Sequence, residues 1–358
     1  MKKITVLIVI LLIFSLSVSG CYNPKTVMVI DDYEITAGTY LLLQLRSALD
    51  AAGRFPTGEN IKLLFDEEID GVDFREWIKE ETLRHLKDYV FIEREFENKG
   101  LTIDKTLMLT YEYGIQNDWK AYSGMYLNNG ISYTSLYKLT ENQVKRLQLF
   151  DSIYVDEGAE KKVGDDEIKE YFVKNYGYMD SIRIRFTDEA GNPLPDEKKA
   201  EIIEWAKSTA EKINSEYPED SETSEIESVF ELYLDYAYPD RTLNETEIQD
   251  LRDNMLSKSM PVSSSSANYE KALIDKFLDT EDNVVTAFEG SSSIYIFKRS
   301  PMLVSGDEYK NYSQEIIQII RADEFEEYVK KGSENYIVDA DEKAKNYYNI
   351  DKINLYGN

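Results

Sequence analysis

Residues 182–186 read Ile-Arg-Ile-Arg-Phe. Apolar and charged side chains alternate in this segment, which is typical of a β-strand with one face in a core and the other in water. The turn-forming run Glu-Ala-Gly-Asn-Pro follows at residues 189–193 and ends the strand. The sequence therefore predicts a sheet in the second half of the chain.

The segments that follow this strand predict a small α+β domain. We expect helices at residues 198–213 and 271–278, a loop at residues 260–266 and a β-hairpin at residues 284–297. A strand, two helices and two further strands are the element order of an α+β domain. With its lead-in helix, this domain is expected to cover residues 165–301.

The first part of the chain is mainly helical after a short pair of strands at residues 27–35. Thr36 is placed to cap a first helix. A second amphipathic helix is expected at residues 73–98, where Lys99 and Gly100 form its end. Each helix has one apolar face and needs a partner. The fold class predicted for the whole chain is therefore α+β, mainly helical.

The last long helix, which begins near Gly306, has no partner in its own neighbourhood. One of its sides carries apolar side chains, namely Ile316, Ile317, Ile320, Phe325, Tyr328 and Val329. An apolar stripe of this kind has to pack against another part of the protein. We therefore expect this helix to share a core with the first helices of the chain.

Tyrosine is unusually frequent in the helical segment 102–156. Four aromatic side chains of this segment are candidates for binding unfolded polypeptide: Tyr111, Trp119, Tyr122 and Tyr126. Aromatic side chains with polar tips can hold unrelated sequences at low entropic cost. The alternative, which the composition favours, is a helical core whose tyrosines reach water with their hydroxyls.

Residues 1–20 have the three parts of a secretory signal peptide: two lysines, an apolar run and small residues before Cys21. The Val-Ser-Gly-Cys order at residues 18–21 resembles the lipobox of bacterial lipoproteins, in which the cysteine is alkylated by diacylglycerol and becomes the mature N-terminus. This predicts lipidation at Cys21 and a lipid anchor on the extracytoplasmic face of a bacterial cell membrane. A free thiol is the alternative.

The composition excludes several classes of function. The chain has 358 residues and a formal net charge of −27, so nucleic acid is not an expected partner. One cysteine and one histidine are too few for a disulfide framework, a Cys/His zinc site or a triad with a histidine base beside a cysteine nucleophile. The sequence also lacks a phosphate-binding glycine loop and a calcium loop. We therefore expect no metal and no cofactor.

Four features of the chain, besides the lipoprotein signal, resemble PrsA/SurA-type foldases. They are the strand pair at residues 27–35, the charged lead-in Asp-Asp-Glu-Ile-Lys-Glu-Tyr-Phe at residues 165–172, the closing strand at residues 295–299 and Val-Asp-Ala at residues 338–340. In that family the N- and C-terminal helices build one chaperone lobe, and a parvulin prolyl isomerase domain lies between them in the chain. The resemblance implies that residues 21–164 and 302–358 form such a lobe. The local residues predict Asp165 as the N-cap of the lead-in helix.

The resemblance also implies a degenerate isomerase site. Parvulin sites resemble a pocket with a histidine on the first strand and another on the last. Here the first of these positions falls on Arg183 or its neighbour and the second on Tyr295. The remnant of the pocket is expected to be lined by Phe288, Tyr295 and Phe297. The single histidine, His85, lies in the predicted lobe and is expected at its surface. No catalytic residue is assigned, and prolyl isomerase activity is expected to be weak or lost.

These observations together predict a membrane-anchored extracytoplasmic chaperone or foldase. Its partners are expected to be unfolded or partly folded exported proteins, and the membrane through the lipid. Two alternatives stay open at this point. One is an active peptidyl-prolyl cis-trans isomerase, and the other is a non-catalytic surface scaffold or adhesin.

Overall fold

The computed structural model describes residues 25–56, 61–188, 190–216, 225–303 and 305–355. The signal peptide and Cys21 lie outside these residues. The chain divides into two compact units. The terminal unit takes the chain up to Lys162 and again from Arg321 onward, and the inserted unit is Val163–Ile320. Among the described residues, no helix combines the length and the apolar content needed to cross a membrane.

The terminal unit begins with a tight β-hairpin. Its strands are β1 (Thr26–Ile30) and β2 (Tyr33–Thr36). The two turn residues, Asp31 and Asp32, have φ angles of 48° and 69°, and positive φ at both central positions suits the twist of a two-residue hairpin. The side chain of Thr36 then accepts a hydrogen bond from the Thr39 backbone N–H at 3.3 Å. The predicted strand pair and helix cap are confirmed.

Four long helices follow in this unit. They are α1 (Ala37–Ala52), α2 (Phe74–Asn98), α3 (Lys105–Asn128) and α4 (Tyr133–Tyr154), with the short strands β3 (Glu68–Ile69) and β4 (Val72–Asp73) between α1 and α2. Helices α1 and α4 approach closely at Gly38, where a Cβ atom would lie 2.0 Å from the Ser135 hydroxyl oxygen. A glycine is therefore required at this crossing.

The inserted unit is a four-stranded antiparallel sheet with helices on both faces. In chain order its elements are α5 (Asp165–Asn175), β5 (Tyr176–Arg185), α6 (Asp196–Glu216), α7 (Glu225–Ala237), α8 (Glu245–Met255), β6 (Leu256–Ser263), α9 (Lys271–Leu278), β7 (Val285–Glu289) and β8 (Ser293–Ser300). The strand order is β6-β5-β8-β7. Ile182 and Ile296 pack with α6, α7 and α8 on one face, whereas Met179 and Phe297 pack with α9 on the other.

Two local predictions in the inserted unit are wrong. Residues 260–263, expected in a loop, lie in the edge strand β6, where Met260 pairs with Met179 and Pro261 with Tyr178. Proline is tolerated there because an edge strand has one side without ladder hydrogen bonds. The cap of α5 is Gly164 rather than Asp165, which is the first helical residue and favours the positive end of the helix dipole.

The chain returns to the terminal unit through α10 (Ser313–Ser333), β9 (Val338–Ala340) and α11 (Glu342–Tyr347). Strand β9 pairs with β1 through Met28–Ala340 and Ile30–Val338, which extends the hairpin to a three-stranded sheet. The second half of α10 packs on the N-terminal helices. Its Phe325 ring lies 5.3 Å from that of Phe150 on α4.

The apolar stripe of α10 does not pack as one surface. Ile316 and Ile317 are buried within the inserted unit, and Ile320 is only half-buried. From Phe325 onward the side chains join the core of the terminal unit. Near the helix end, Gly332 lies so close to the ring of Phe91 on α2 that a Cβ atom would come within 2.0 Å of it. The predicted shared core is thus formed by the second half of the helix.

Candidate functional site

The aromatic helix α3 is the first candidate site. Asp104 begins it, because its carboxylate accepts hydrogen bonds from the backbone N–H groups of Thr106 and Leu107 at 2.7 and 3.1 Å. Met108, Ile115 and Tyr126 are its buried side chains. The remaining faces of α3 carry its partly buried and exposed side chains.

Tyr126, one of the four candidates, is buried. Its hydroxyl donates a hydrogen bond to the Asp118 carboxylate at 2.8 Å, and burial together with this bond raises the pKa of Tyr126 above its ordinary value. The Trp119 ring stacks on Tyr126 at 5.8 Å and meets Tyr133 edge-on at 5.6 Å. Tyr126 therefore holds the helix in place and is not accessible to a polypeptide.

Of the four aromatic candidates for binding polypeptide, fewer are exposed to solvent than the sequence indicated. Tyr122 is 55% exposed, whereas Tyr111 and Trp119 are partly buried and pack against the core. The sequence prediction did not include Tyr113, which is 69% exposed, or the exposed leucines Leu109 and Leu127. Helical periodicity could have found Tyr113, since it lies about 200° around the helix from the buried Ile115.

The second candidate site is one face of the sheet in the inserted unit. Tyr295 of β8 lies directly opposite Arg183 of β5 and directly opposite Phe288 of β7. Residues that face each other across an antiparallel pair share one face of the sheet. The three side chains therefore form a row across three strands.

The contacts of this row are local. The Arg183 Nε donates a hydrogen bond to the Ser293 hydroxyl at 2.9 Å, and the guanidinium carbon lies 5.7 Å from the centre of the Tyr295 ring. This distance allows a cation–π interaction. The Arg183 guanidinium carries N–H donors and no acceptor, so it can donate hydrogen bonds to a ligand but cannot accept them.

Phe297 does not belong to an open pocket. It faces the same side of the sheet as Tyr295 but is fully buried, with its ring 5.9 Å from that of Phe277 on α9. The expected remnant pocket is therefore reduced to Arg183, Phe288 and Tyr295, all of which are partly buried. The pocket is smaller than expected because helix α9 covers Phe297 at this end of the sheet.

The chemistry of the second site is that of binding. Arginine stays protonated at all ordinary pH values and cannot exchange protons with a ligand. His85 lies on α2, 3.2 Å from the Glu81 carboxylate, and burial lowers its pKa. It belongs to the other unit and is partly exposed, as expected. Among the described residues there is also no group of three or more His, Cys, Asp or Glu side chains that could hold a metal ion.

Comparison with known proteins gives matches among solved structures alone. No family model and no curated protein matches the chain. A foldase protein PrsA from Streptococcus pneumoniae is 13% identical, with a TM-score of 0.36, over 76% of this chain and 91% of that one. The PrsA foldase from Lactococcus lactis is 10% identical, with a TM-score of 0.35, over 92% and 100% of the two chains.

A third structure, the peptidylprolyl isomerase PrsA from Bacillus anthracis, is 10% identical, with a TM-score of 0.30, over 70% of this chain and 94% of that one. These identities and scores are low, and no residue role is carried over from them. The chain is similar to PrsA foldases.

Proposed function

We propose that this protein is a lipid-anchored extracytoplasmic chaperone of the foldase type, which binds unfolded exported polypeptides and has weak or no prolyl isomerase activity. The observation that carries the proposal is the solvent face of α3. Leu109 and Tyr113 stand exposed one turn apart on this helix, and Leu127 is exposed near its end. Contiguous exposed apolar side chains mark interaction surfaces.

The arrangement of these side chains suits an unfolded partner. Leu109 and Tyr113 are four residues apart, so they are neighbours on the helix surface. Tyr122 is exposed on another side of the same helix, so the helix offers apolar contacts in more than one direction. A polypeptide that exposes scattered apolar side chains can meet such a surface in many registers, which is what binding of unrelated sequences requires.

The charge of the chain supports the same function. A formal net charge of −27 keeps a protein with exposed apolar side chains soluble, because copies of it repel one another. The repulsion extends over about 8 Å at physiological ionic strength. It opposes self-association at α3 while it leaves the surface open to neutral or basic segments.

The proposed anchor sets where the chaperone would act. Strand β1 begins at Thr26, five residues after Cys21 in the sequence. A fully extended chain of five residues reaches at most about 18 Å. A lipid on Cys21 would therefore hold the terminal unit next to the membrane, where exported polypeptides emerge.

The proposed isomerase loss follows from the row on the sheet face. Prolyl isomerisation needs the imide bond to be twisted and partly desolvated, with a barrier of about 18–20 kcal/mol. Arg183 and Tyr295 provide hydrogen bonds and an apolar ring, but Phe297 is closed off by α9. The sheet face can therefore hold a peptide without a pocket that grips a proline ring.

The test is suppression of aggregation of an unfolded model protein by the chain without residues 1–21. We expect suppression by the parent and a clear loss in the double variant Leu109→Ser/Tyr113→Ser. The matched control is Leu63→Ser, because Leu63 is 65% exposed in the same unit but belongs to the short helical turn Ile61–Leu64 rather than to α3. Failure of the parent to suppress aggregation refutes the chaperone function and favours the scaffold.

A further inference from the structure

A cavity of about 460 Å³ lies within the terminal unit. It opens between the first two long helices and the C-terminal segment, and its wall includes Tyr40 and Gln44 of α1, Leu86 of α2, and Val338 and Ala340 of β9. Cavities of about 300–1,000 Å³ are the size that holds a drug-sized ligand, which is also the size of one or two residues of a peptide. The cavity belongs to neither of the candidate sites described above.

The cavity wall contains an amide without a full set of partners. Gln44 is 2% exposed. Its Nε2 donates a hydrogen bond to the Tyr40 hydroxyl at 3.2 Å, while its Oε1 has no hydrogen-bond partner among the described residues. Rotating the amide by 180° would exchange the two atoms and leave Nε2 unpaired instead. A buried amide atom without a partner is destabilising, so it calls for a ligand.

Tyr40 supplies a hydrogen-bond donor beside the unpaired oxygen of Gln44. Burial, with the nearby charge of Glu342, raises the pKa of Tyr40 to about 12, so the phenol keeps its proton. The hydroxyl accepts from Gln44 and can still donate its own hydrogen. The pair therefore offers one acceptor and one donor side by side, which is the complement of an amide group with its N–H and C=O.

The cavity also borders an edge of the sheet beside which no further described strand lies. Strand β9 is the last strand in the order β2-β1-β9. Asp31 donates its backbone N–H to the Ile337 carbonyl at 2.8 Å, and Asp341 donates to the Val27 carbonyl at 3.1 Å. Residues that bond to the neighbouring strand alternate along an antiparallel strand. The main-chain groups of Val338 and Ala340 therefore face away from β1, toward the free edge.

We propose that an extended segment of an unfolded polypeptide binds here as a fourth strand beside β9, with one of its amide groups hydrogen-bonded to Gln44 and Tyr40 in the cavity. An extended main chain is the partner that fits a row of free backbone N–H and C=O groups. This inference rests on the proposed function and identifies a second contact for the same class of partner.

The charges around the cavity favour neutral or basic segments. The rim carries five acidic side chains, Asp73, Glu76, Glu80, Glu342 and Asp351, and three basic ones, Arg75, Lys79 and Lys345. Lys79 is paired with Glu76 at 2.9 Å and Lys345 with Glu342 at 2.9 Å. The excess of acid repels acidic peptides and attracts basic ones.

The experiment measures binding of a fluorescent hexapeptide of alternating valine and glutamine, with one lysine, to the full chain in mild detergent. Two versions are N-methylated at alternate residues, one at the odd positions and one at the even positions. We expect one version to bind about tenfold more weakly and the other to bind like the parent peptide, because every second N–H of an added strand points to the edge. Equal effects of the two patterns, or no binding of the parent peptide, overturn the proposal.

Protein variants test the cavity itself. Gln44→Met keeps the shape of the side chain and removes the amide, so peptide binding is expected to weaken about five- to tenfold without a lower unfolding midpoint. Ala340→Pro removes an N–H that faces the free edge and is expected to weaken binding similarly. The control is Gln318→Met, an exposed glutamine in the first half of α10, outside both proposed contacts. Unchanged peptide binding in Gln44→Met, with the control, overturns the proposal.

The two proposals can fail separately. Suppression of aggregation by the parent, together with unchanged peptide binding in both cavity variants, leaves the chaperone function standing and refutes this site. Loss of binding in Gln44→Met with no difference between the two methylation patterns also refutes it, since the ligand would then be held by its amide without strand addition. Binding that rises with acidic peptides contradicts the role of the rim.

Discussion

Replacing Phe325 with alanine removes the side chain through which the second half of α10 packs on the N-terminal helices. Phe325 is 4% exposed. Its ring meets Phe150 edge-on at 5.3 Å and lies 6.4 Å from Tyr154 and 6.1 Å from Tyr328, and the guanidinium of Arg146 lies 5.1 Å from its centre. The substitution therefore empties the middle of an aromatic cluster formed by two distant parts of the chain.

The expected cost is large. A buried phenylalanine changed to alanine destabilises a protein by about 3–5 kcal/mol, and the loss grows when the neighbours cannot collapse into the space. The neighbours here are rings on rigid helices, and aromatic pairs add about 0.5–1.5 kcal/mol beyond buried area. We therefore expect a loss of about 4 kcal/mol, which is a large part of the 5–15 kcal/mol typical of a folded domain.

The assay has to report on the terminal unit alone, because a chain of two units need not unfold in one step. Hydrogen exchange of the amides in α2 and α4 meets this need, since their protection measures the opening free energy of that core. The control is Tyr113→Ala, an exposed aromatic residue, for which a change within about 0.5 kcal/mol is expected. A loss below about 1 kcal/mol for Phe325→Ala, in a protein with intact helix content, would refute the shared core.

Three further predictions follow from named groups. Burial and the charge of Asp156 raise the pKa of Asp151 to about 6, so the stability that its protonation contributes is complete below about pH 4 and is lost as the pH rises through 6. The urea unfolding midpoint of Asp151→Asn should therefore rise relative to that of the parent between pH 4 and pH 6. A difference in midpoint that stays constant over this range refutes the prediction. The protein with Cys21→Ser should be lost from the membrane fraction, and its full retention in that fraction contradicts lipidation. Turnover of a short Xaa-Pro peptide, measured by coupled proteolysis, should stay far below that of a parvulin with both histidines, because the resemblance assigns Arg183 and Tyr295 to the histidine positions. A comparable rate would overturn this prediction.

Elements set by local chemistry could be predicted from the sequence. The turn at Asp31 and Asp32 and the cap at Thr36 depend on residues within four positions of one another, and all three are in place. Helix α9 has the predicted bounds, Lys271–Leu278, since its apolar side chains recur at helical spacing between polar ends. A sequence contains all the information that such features need.

Burial at the candidate sites could not be predicted, because it depends on partners far away in the chain. Tyr126 and Tyr122 have the same residue type on the same helix, but Tyr126 is covered by Trp119 and bonded to Asp118. The sequence predicts Phe297 in an open cleft, whereas in the structure its ring packs against Phe277 and is buried. Periodicity gives the direction of a side chain from its helix or strand, and tertiary packing alone decides what covers it.

The edge strand β6 shows the same limit for backbone structure. Met260, Pro261 and several serines give a composition typical of a loop, and no local signal favours a strand. The ladder with β5, from Tyr176–Ser263 to Ile182–Leu256, supplies the hydrogen bonds that fix this segment. Pairing across about eighty residues of chain overrides the weak local preference, because β-propensity depends strongly on the neighbouring strand.

The two proposed contacts of the terminal unit recognise different parts of a polypeptide. The solvent face of α3 is proposed to bind apolar side chains through Leu109 and Tyr113, whereas the edge of β9 is proposed to bind the main chain through Val338 and Ala340. A polypeptide offers exposed apolar side chains and free backbone groups together only while it is unfolded, since folding buries the former and pairs the latter. Folding of the partner would therefore remove both contacts at once, and release would need no energy source beyond the stability that the partner gains.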